Sequence, residues 1–426
     1  MAQPYPRGGS MRSLQGKRLL IISHGHPDIN KGGAEMAAYN MFNELRRHDV
    51  DAYFLARTEQ PPHGGAAFSQ RNSSREILFH TTMDDGFLFS NIKTRHMWQE
   101  FRDLILLIKP DIVHLHHYFL LGVEILEEIK RSLPNAKIIL TLHEYLAICH
   151  NNGLMVKTSG KLCYKATPRD CHSCFPDKQP GDFFLREQYI KRMFQNVDHF
   201  VSPSQFLQQR YIDWGIAPDR ISVIENGQNT LEDFPISNVT KTESSSVRFA
   251  FFGQINPYKG IDVLIGALAG LSKKVKKQVL IEIHGANLEH QTGSYQQKVK
   301  TLMSKYSARV HFHGAYEAHE MPRILSSVDW AVVPSVWWEN SPMVIQEAFN
   351  CGVPLIVSDI GGMAEKVKDN VNGLHFRHGS AFDLADKITL CVTDRNLRHK
   401  LITGIEAPLN ITQCIESHLP AYLQSD

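Results

Sequence analysis

The chain has 426 residues, of which 42% are hydrophobic and 21% are charged. These fractions are typical of a globular protein and exclude a disordered or fibrous chain. A net charge of +2 excludes a strong overall electrostatic field, so we expect no nucleic-acid partner. The length exceeds what one hydrophobic core usually supports and therefore predicts two domains.

The N-terminal residues 1–16 are rich in Pro, Gly and Ser, which predicts a flexible tail. The apolar run after Arg18 extends only from Leu19 to Ile22. It is too short for a signal-peptide core or a membrane span. We therefore expect a cytoplasmic protein.

From residue 17 onward, short runs rich in Ile, Val and Phe alternate with longer helical patterns, which is typical of βα units that form a parallel sheet. In a first domain, 17–229, the predicted strands are 18–23, 51–56, 111–116, 137–142, 198–203 and 220–225. Residues 230–247 lose the periodicity and predict a linker. In a second domain, 248–407, the predicted strands are 248–253, 279–284, 309–314, 330–334 and 354–359.

This alternation predicts an α/β protein with two doubly wound domains. Ligands of open α/β sheets bind outside the carboxyl ends of the strands. We therefore expect the functional site in a cleft between the two domains.

Two loops after predicted strands contain residues suited to binding a phosphate. Gly32 and Gly33 precede the first helix, where glycines let a ligand approach backbone amides closely, although a plain tight turn explains them equally well. In the second domain, the segment FFGQINPYKGIDVL (251–264) places Lys259 after an Asn-Pro turn and just before a helix. A lysine at that position can contact a phosphate.

The segment WWENSPMVIQEAF (337–349) places Glu339 and Glu347 eight positions apart, which is not the spacing of a stabilising pair on one helix face. Ser341 and Pro342 predict a helix start between the two acids, with the Ser341 hydroxyl as the cap. The amides of Met343 and Val344 would then form an anion site. This arrangement suits a nucleotide sugar, with Glu347 on the ribose, the helix start on the diphosphate and Glu339 on the sugar. The alternative is two solvated surface acids.

Seven motifs extend this pattern along the chain: GGAE (32–35), TLHEY (141–145), SPS (202–204), NG (226–227), FGQINPYKG (252–260), HFHG (311–314) and the Glu339/Glu347 pair followed by VPLIVSDIGG (353–362). With them the chain from Lys17 onward closely resembles the retaining glycosyltransferases of family 4. Members of that family have the GT-B fold of two Rossmann-like domains.

The resemblance implies a hexosyltransferase-type enzyme that moves a sugar from a nucleoside diphosphate sugar to an acceptor hydroxyl with retained anomeric configuration. It implies a role in polysaccharide or lipid-linked glycan biosynthesis, with a saccharide or lipid-linked acceptor and no catalytic metal. It places His143 near the reacting sugar, with Glu339 and Lys259 as the other catalytic residues. The C-terminal helix, 408–426, is expected to pack back on the first domain.

One position departs from the family pattern. Similar proteins usually have Arg five residues before the lysine of FGQINPYKG, and this chain has Gln254. Glutamine can donate a hydrogen bond but has no charge, so the diphosphate would depend more on Lys259 and the helix amides.

The seven cysteines include a cluster of four within 26 residues: Cys149, Cys163, Cys171 and Cys174. In a protein without a secretory signal this cluster suggests a structural zinc site, although free thiols and a disulfide remain alternatives. The nearby run VHLHH contains His114, His116 and His117, which we assign to the strand-end cleft rather than to a metal site.

Two other functions are compatible with the same fold. One is a degenerate GT-B protein that acts as a zinc-stabilised binding or scaffold module, for which Gln254 is the best support. The other is a nucleotide-sugar epimerase. The segment 181–194 combines aromatic and basic residues, so peripheral association with the inner face of the membrane is conceivable, although a helix packed on the first domain is the simpler interpretation.

Overall fold

The computed structural model describes residues 10–30, 32–60, 65–91, 95–229 and 246–423, with the side chains of residues 95 and 96 excepted. The chain divides into two compact units. Unit 1 contains residues 1–227 and 409–426, and unit 2 contains residues 228–408. The predicted linker, 230–247, lies outside the described residues except for its last two positions.

Unit 1 is built on a sheet of eight strands in the order β3-β4-β2-β1-β5-β6-β7-β8. The strands are β1 (Arg18–Ser23), β2 (Asp51–Thr58), β3 (Phe68–Gln70), β4 (Glu76–His80), β5 (Ile112–Leu115), β6 (Lys137–Thr141), β7 (His199–Ser202) and β8 (Ile221–Val223). All pairings are parallel except that of β3 with β4, which is antiparallel. Parallel pairing aligns the carboxyl ends of β1, β5 and β6 along one edge of the sheet.

Seven α-helices accompany this sheet in the described part of unit 1. They are α1 (Gly33–Arg47), α2 (Arg95–Ile108), α3 (Ile125–Ser132), α4 (Pro168–Cys174), α5 (Pro180–Phe194), α6 (Gln205–Trp214) and α15 (Ile411–Leu423). The last of these belongs to unit 1 although it comes from the end of the chain. Its buried residues Ile411, Cys414 and Ile415 share a hydrophobic core with α1 and β1.

The N-terminal segment differs from the predicted tail. Met11–Leu14 form a 3-10 turn that the Ser10 side chain caps. Met11 is 5% exposed and Leu14 is fully buried, and both join the core that contains α1 and α15. Two apolar residues three positions apart are enough to anchor a single helical turn, so the flexible-tail prediction is wrong for residues 11–14.

Unit 2 is built on a sheet of six parallel strands in the order β11-β10-β9-β12-β13-β14. The strands are β9 (Val247–Phe252), β10 (Val279–His284), β11 (Val310–Gly314), β12 (Trp330–Val333), β13 (Leu355–Ser358) and β14 (Gly373–Phe376). Alternation along β9 places Phe249 and Phe251 in one hydrophobic core and Ala250 and Phe252 in another. The sheet is therefore covered on both faces, as a doubly wound domain requires.

The α-helices of unit 2 are α7 (Ile261–Ala267), α8 (Lys273–Lys276), α9 (Gly293–Lys305), α10 (Met321–Ser326), α11 (Met343–Asn350), α12 (Gly361–Lys366), α13 (Ala381–Thr393) and α14 (Leu397–Thr403). Each of the predicted strands is present, with ends within two residues of the prediction. The α/β class with two doubly wound, Rossmann-like units is confirmed. Within the described residues, no helix combines the length and the apolar character that a membrane span needs.

Candidate active site

Lys259 is placed by the turn that joins β9 to α7. The Asn256 side chain accepts hydrogen bonds from the amides of Tyr258 at 3.0 Å and Lys259 at 3.2 Å, which fixes the turn. Gly260 has a φ of +70°, and a Cβ there would lie 1.9 Å from the carbonyl oxygen of Pro334. Glycine is therefore needed for this turn to contact the end of β12.

Glu339 lies in the loop after β12 and is held by three donors at one oxygen. Its Oε1 accepts from Lys259 Nζ at 2.6 Å, from Ser335 Oγ at 2.7 Å and from Trp337 Nε1 at 3.0 Å. The residue is 5% exposed. Among the described residues nothing donates to its other oxygen, Oε2. The carboxylate is thus oriented through one oxygen, and the second is available to a ligand.

The diglycine that follows β13 supports the same loop. The amide of Gly362 donates to the carbonyl oxygen of Glu339 at 2.7 Å. A Cβ at Gly362 would lie 1.5 Å from the carbonyl oxygen of Asn340, which leaves no room for any other residue. The glycines of the VPLIVSDIGG motif therefore hold Glu339 in place by close backbone packing.

The start of α11 differs from the predicted cap. The helix begins at Met343, Pro342 occupies the capping position, and no side chain caps the helix. Because Ser341 precedes the capping position by one residue, its hydroxyl is not placed to bond the first amides. That hydroxyl is buried and has no hydrogen-bond partner within the described part of the chain. An unpaired hydroxyl beside a helix start, where the first amides have no intrahelical acceptor, suits an anionic ligand.

Glu347 lies in the second turn of α11. Burial raises the pKa of its carboxyl from 4.5 to about 7. Its carboxylate forms no hydrogen bond or ion pair with any other described residue. The pKa of Tyr316 is raised, chiefly by burial and secondly by the charge of Glu347, so the phenol lies near this acid. A half-buried carboxylate without a protein donor can accept hydrogen bonds from ligand hydroxyls.

Gln254 follows the end of β9 directly after Gly253, which has a φ of +129°. The glutamine is exposed and forms no hydrogen bond with the other described residues. It therefore remains a residue that a ligand could contact, as predicted, but it adds no charge.

In unit 1, Gly32 and Gly33 begin α1 after β1. Gly32 occupies the capping position with extended backbone, and a Cβ there would lie 2.4 Å from Oε2 of Glu35. The Glu35 carboxylate folds back over the helix start and pairs with His24 Nε2 at 3.1 Å. Burial raises the pKa of Glu35, but the hydrogen bond and charge of His24 outweigh burial and hold that pKa below its ordinary value. A side chain at position 32 would therefore displace the Glu35 carboxylate that pairs with His24.

His143 follows β6 at the carboxyl edge of the unit 1 sheet. Its Nε2 lies 3.1 Å from Nδ1 of His116. Burial, with a smaller contribution from His117 and His24, lowers the pKa of His143 to about 3. The imidazole is therefore neutral at physiological pH.

The pKa of the next residue, Glu144, is shifted in the opposite direction. Burial raises the pKa of its carboxyl to about 7, although the side chain is 22% exposed. The amide of Phe119 donates to Nδ1 of His117 at 3.0 Å, so His117 carries its proton on Nε2, which lies 3.2 Å from Glu144 Oε1. The amide of Leu146 donates to the other carboxylate oxygen. Glu144 is thus an oriented acid beside the predicted catalytic histidine.

The four clustered cysteines, Cys149, Cys163, Cys171 and Cys174, line one small cavity of unit 1. None of them is in a disulfide. Burial and the neighbouring Cys149 raise the pKa of Cys171 to about 12, which favours the thiol over the metal-binding thiolate. No three His, Cys, Asp or Glu side chains among the described residues are arranged to hold a metal ion. The structure therefore gives the predicted zinc site no support.

The predicted site residues are distributed over both units. Lys259 and Glu339 are in direct contact in unit 2, where Ser341, Met343, Val344 and Glu347 share the loop and helix that follow β12. Gly32, Gly33 and His143 lie at helix and strand ends of unit 1. Sequence reasoning gave no role to Ser335 and Trp337, which bond Glu339 in unit 2. It also gave none to His24, Glu35 and Glu144 in unit 1. In each unit these side chains contact a predicted residue directly or lie beside it.

Two family models match this chain. The model described as Glycosyltransferase Family 4 matches residues 31–230, and the one described as Glycosyl transferases group 1 matches residues 235–406. Among relatives, the Bacillus subtilis protein YtcC is 25% identical over 289 residues, which are 64% of this chain and 62% of that protein, less than two thirds of its length. The lipopolysaccharide 1,2-N-acetylglucosaminetransferase of Salmonella typhimurium is 23% identical over 279 residues, which are 63% of this chain and 71% of that one.

Solved structures share the fold. The crystal structure of Anabaena HepE in complex with UDP-glucose superposes with a TM-score of 0.60 at 17% identity and covers 94% of this chain and 95% of that chain. Sucrose-phosphate synthase from Thermosynechococcus elongatus superposes with a TM-score of 0.69 at 16% identity and covers 95% of this chain and 96% of that chain. With a family 4 match in the first half of the chain, a group 1 match in the second and this architecture, the protein is a GT-B glycosyltransferase of the family 4 and group 1 type.

Proposed function

We propose that the protein is a retaining glycosyltransferase that moves a sugar from a nucleoside diphosphate sugar to an acceptor hydroxyl. The observation that carries this proposal is the pairing of Lys259 with Glu339 at 2.6 Å. The loop that contains Glu339 also contains the buried hydroxyl of Ser341, which has no hydrogen-bond partner among the described residues. A cation, a free hydroxyl and a helix start are binding groups for a diphosphate. A neighbouring carboxylate with one available oxygen suits a sugar.

The diphosphate would be held by Lys259, by Ser341 and by the amides of Met343 and Val344. Lys259 is 28% exposed in its side chain, so its ammonium can exchange part of its contact with Glu339 for a phosphate oxygen. Gln254 adds a hydrogen-bond donor without charge. Among the described residues assigned to the diphosphate, Lys259 is the charged one, and it would stabilise the departing diphosphate together with the helix start.

Glu339 would orient the sugar. Its Oε1 is occupied by Lys259, Ser335 and Trp337, which leaves Oε2 for the sugar hydroxyls. As the bond between the sugar carbon and the diphosphate oxygen breaks, its electron pair leaves with the diphosphate. The acceptor oxygen forms its bond on the same face, and the acceptor proton passes to the departing diphosphate. The negative carboxylate supports the positive charge that develops on the sugar.

Glu347 would accept hydrogen bonds from the ribose. The absence of any donor to it from the described residues, and its raised pKa, both favour a ligand that supplies hydroxyl donors. His143, in unit 1, would contact the reacting sugar. Because burial keeps its imidazole neutral, it can donate or accept a hydrogen bond without placing positive charge beside a cationic transition state. Gly32 and Gly33 would let the ligand approach the start of α1.

The known relatives indicate the class of donor and acceptor. HepE has been crystallised with UDP-glucose, and the Salmonella typhimurium relative is named for transfer of N-acetylglucosamine to lipopolysaccharide. We propose a nucleoside diphosphate sugar as donor and a saccharide or lipid-linked acceptor in polysaccharide or lipid-linked glycan synthesis. Peripheral association with the cytoplasmic face of a membrane would bring the enzyme to such an acceptor.

The test is a thermal-stability panel of UDP, GDP, ADP and their sugar esters on the full chain, followed by donor hydrolysis with the compounds that bind. One nucleotide series should raise the melting temperature by several degrees, with or without EDTA. Lys259→Met should abolish the rise, whereas Lys298→Met, which changes an exposed lysine paired with Asp262, should not. If no nucleotide stabilises the wild-type chain and none is hydrolysed, the scaffold function becomes the better interpretation.

A further inference from the structure

A small cavity lies inside unit 1, beside the candidate catalytic histidine. It is bounded by α1, by α15 and by the strands β5, β6 and β7, and its lining includes His116, Thr141 and His418. The lining also includes Cys414 of α15. The cavity therefore lies where the end of the chain packs against the strands that lead to His143.

Two buried nitrogen atoms in this lining have no partner. His116 and His418 are each 2% exposed, and Nε2 of each forms no hydrogen bond within the described part of the chain. A buried polar group that remains unpaired is destabilising, and such groups in native proteins almost always have a partner or a bound water. Two of them in the lining of one cavity indicate a shared partner.

The other nitrogen, Nδ1, of each ring already has a partner, so Nε2 is the nitrogen of each ring that remains to be paired. His418 Nδ1 lies 2.7 Å from the carbonyl oxygen of Cys414. A carbonyl only accepts, so Nδ1 carries the proton. Burial lowers the pKa of His418 to about 4, so the ring is neutral and Nε2 is an acceptor. His116 Nδ1 lies 3.1 Å from His143 Nε2.

We propose that one water molecule in this cavity bridges Nε2 of His116 and Nε2 of His418, and that this bridge couples His418 to the tautomer of His143. The water donates to His418. Whether His116 donates to the water or accepts from it decides whether His116 Nδ1 bears a lone pair or a proton. Since Nδ1 of His116 bonds Nε2 of His143, that choice also decides which nitrogen of His143 carries the proton.

His418 is then a positioning residue on the C-terminal helix. It acts through the water and His116 and does not touch substrate. The consequence for catalysis rests on the proposed role of His143, because a sugar hydroxyl would meet either a donor or an acceptor on that ring. The water bridge and the tautomer themselves do not depend on that role.

The chain offers a matched pair of variants at position 418. His418→Asn keeps a donor where Nδ1 bonds the Cys414 carbonyl but removes the nitrogen that borders the cavity. His418→Gln restores a polar group near the Nε2 position. Tyr422→Phe is the control, because the Tyr422 hydroxyl on the same helix bonds His114 Nδ1 at 2.7 Å and does not line the cavity.

The first readout is the nitrogen chemical shifts of 15N-labelled histidines in the full chain near neutral pH. Wild type and Tyr422→Phe should each show one tautomer for His143, whereas His418→Asn should show the other tautomer or a mixture. His418→Gln should return the wild-type pattern. An unchanged His143 tautomer in a folded His418→Asn protein, or the same change in Tyr422→Phe, would overturn the proposal.

The second readout is donor kinetics. His418→Asn should lower kcat about threefold to tenfold with an unchanged donor KM, and His418→Gln should recover most of the loss. If wild type shows no transferase activity, the proposed function fails while the tautomer measurement still decides the water bridge. If the variants do not fold, a high-resolution crystal structure of the wild-type chain decides, because a dry cavity would overturn the proposal and a water bonded to both nitrogens would support it.

Discussion

The two units hold their candidate functional groups by different means. In unit 2, charged side chains lie on turns that glycines fix by close backbone packing, as Gly260 does against Pro334 and Gly362 against Asn340. In unit 1, neutral imidazoles and paired carboxylates lie on strand ends and bond one another, as His143 does with His116. Unit 2 thus has a lysine–glutamate ion pair among its candidate groups, whereas unit 1 combines neutral imidazoles with carboxylates.

The same contrast exists within unit 2 between its two acids. Glu339 has three donors on one oxygen and lies in direct contact with a lysine. Glu347 has no protein donor among the described residues and a pKa raised to about 7 by burial. An acid that the protein orients suits a role in the transition state. An acid without a hydrogen-bond donor from the protein suits binding of a ligand hydroxyl in the ground state.

The largest effect is expected at Glu339. Glu339→Gln keeps the shape of the side chain but removes the negative charge beside the developing positive sugar, so kcat should fall about 100- to 1,000-fold with a small change in donor KM. Steady-state kinetics with varied donor measures this. Glu406→Gln is the control, because that acid pairs with Lys368 and is 80% exposed in its side chain. A loss that falls chiefly on KM would contradict the role given to Glu339.

A smaller effect on a different constant is expected at Glu347. Glu347→Ala removes ribose contacts that exist in both the ground state and the transition state, so the donor KM should rise about 10- to 100-fold, about 1.4–2.7 kcal/mol, while kcat changes little. The same kinetic experiment and a thermal melt of the variant measure this. If both acid variants change activity by less than about threefold, the two carboxylates are surface acids and the proposed mechanism is wrong.

The turn glycines test whether unit 2 depends on backbone packing. Gly362→Ala places a Cβ 1.5 Å from the Asn340 carbonyl oxygen, so the Glu339 loop must move. We expect about a tenfold loss of kcat/KM and a lower melting temperature. Gly293→Ala, at a position with open space around the new Cβ, should be close to wild type. Equal activity of both variants would show that the loop tolerates displacement.

The features that the sequence predicted are those that depend on local sequence patterns. Short apolar runs identified the strands of both sheets except β3, β4 and β14. Turn residues predicted the positions of Lys259 and of the loop that contains Glu339, because glycine and proline favour particular backbone conformations. The candidate groups of unit 2 were therefore more predictable than those of unit 1.

The parts that could not be predicted depend on tertiary contacts. His24, Glu35 and His117 come together from separate segments at one sheet edge, and no spacing in the sequence relates them. The Ser341 cap failed because helix capping depends on which residue begins the helix, and the start lies one residue later than expected. The zinc prediction found no support although the four clustered cysteines line one cavity, because ligand geometry is a three-dimensional property that spacing does not determine.

The smallest effect concerns pH and stability, and it compares one buried acid from each unit. Burial raises the pKa of Glu347 and of Glu144 from 4.5 to about 7. Because the folded state then binds the proton more tightly than the unfolded chain, each acid stabilises the fold fully below about pH 4.5, and this stability is lost as the pH rises to about 7. Glu347→Gln removes the titrating group, so its melting temperature should exceed that of wild type by about 2–4 °C near pH 8 and equal it near pH 5.

Glu144→Gln should show a smaller gain in melting temperature near pH 8, or a loss. The ionised Glu144 accepts hydrogen bonds from His117 and from the Leu146 amide, and glutamine replaces these only in part. Calorimetric melts of both variants at several pH values between about 5 and 8 measure the difference between the units. If Glu347→Gln and wild type have the same melting temperature at every pH, the carboxylate of Glu347 is well solvated in the folded protein. Its proposed selectivity for a hydroxyl-donating ligand would then lose its physical basis.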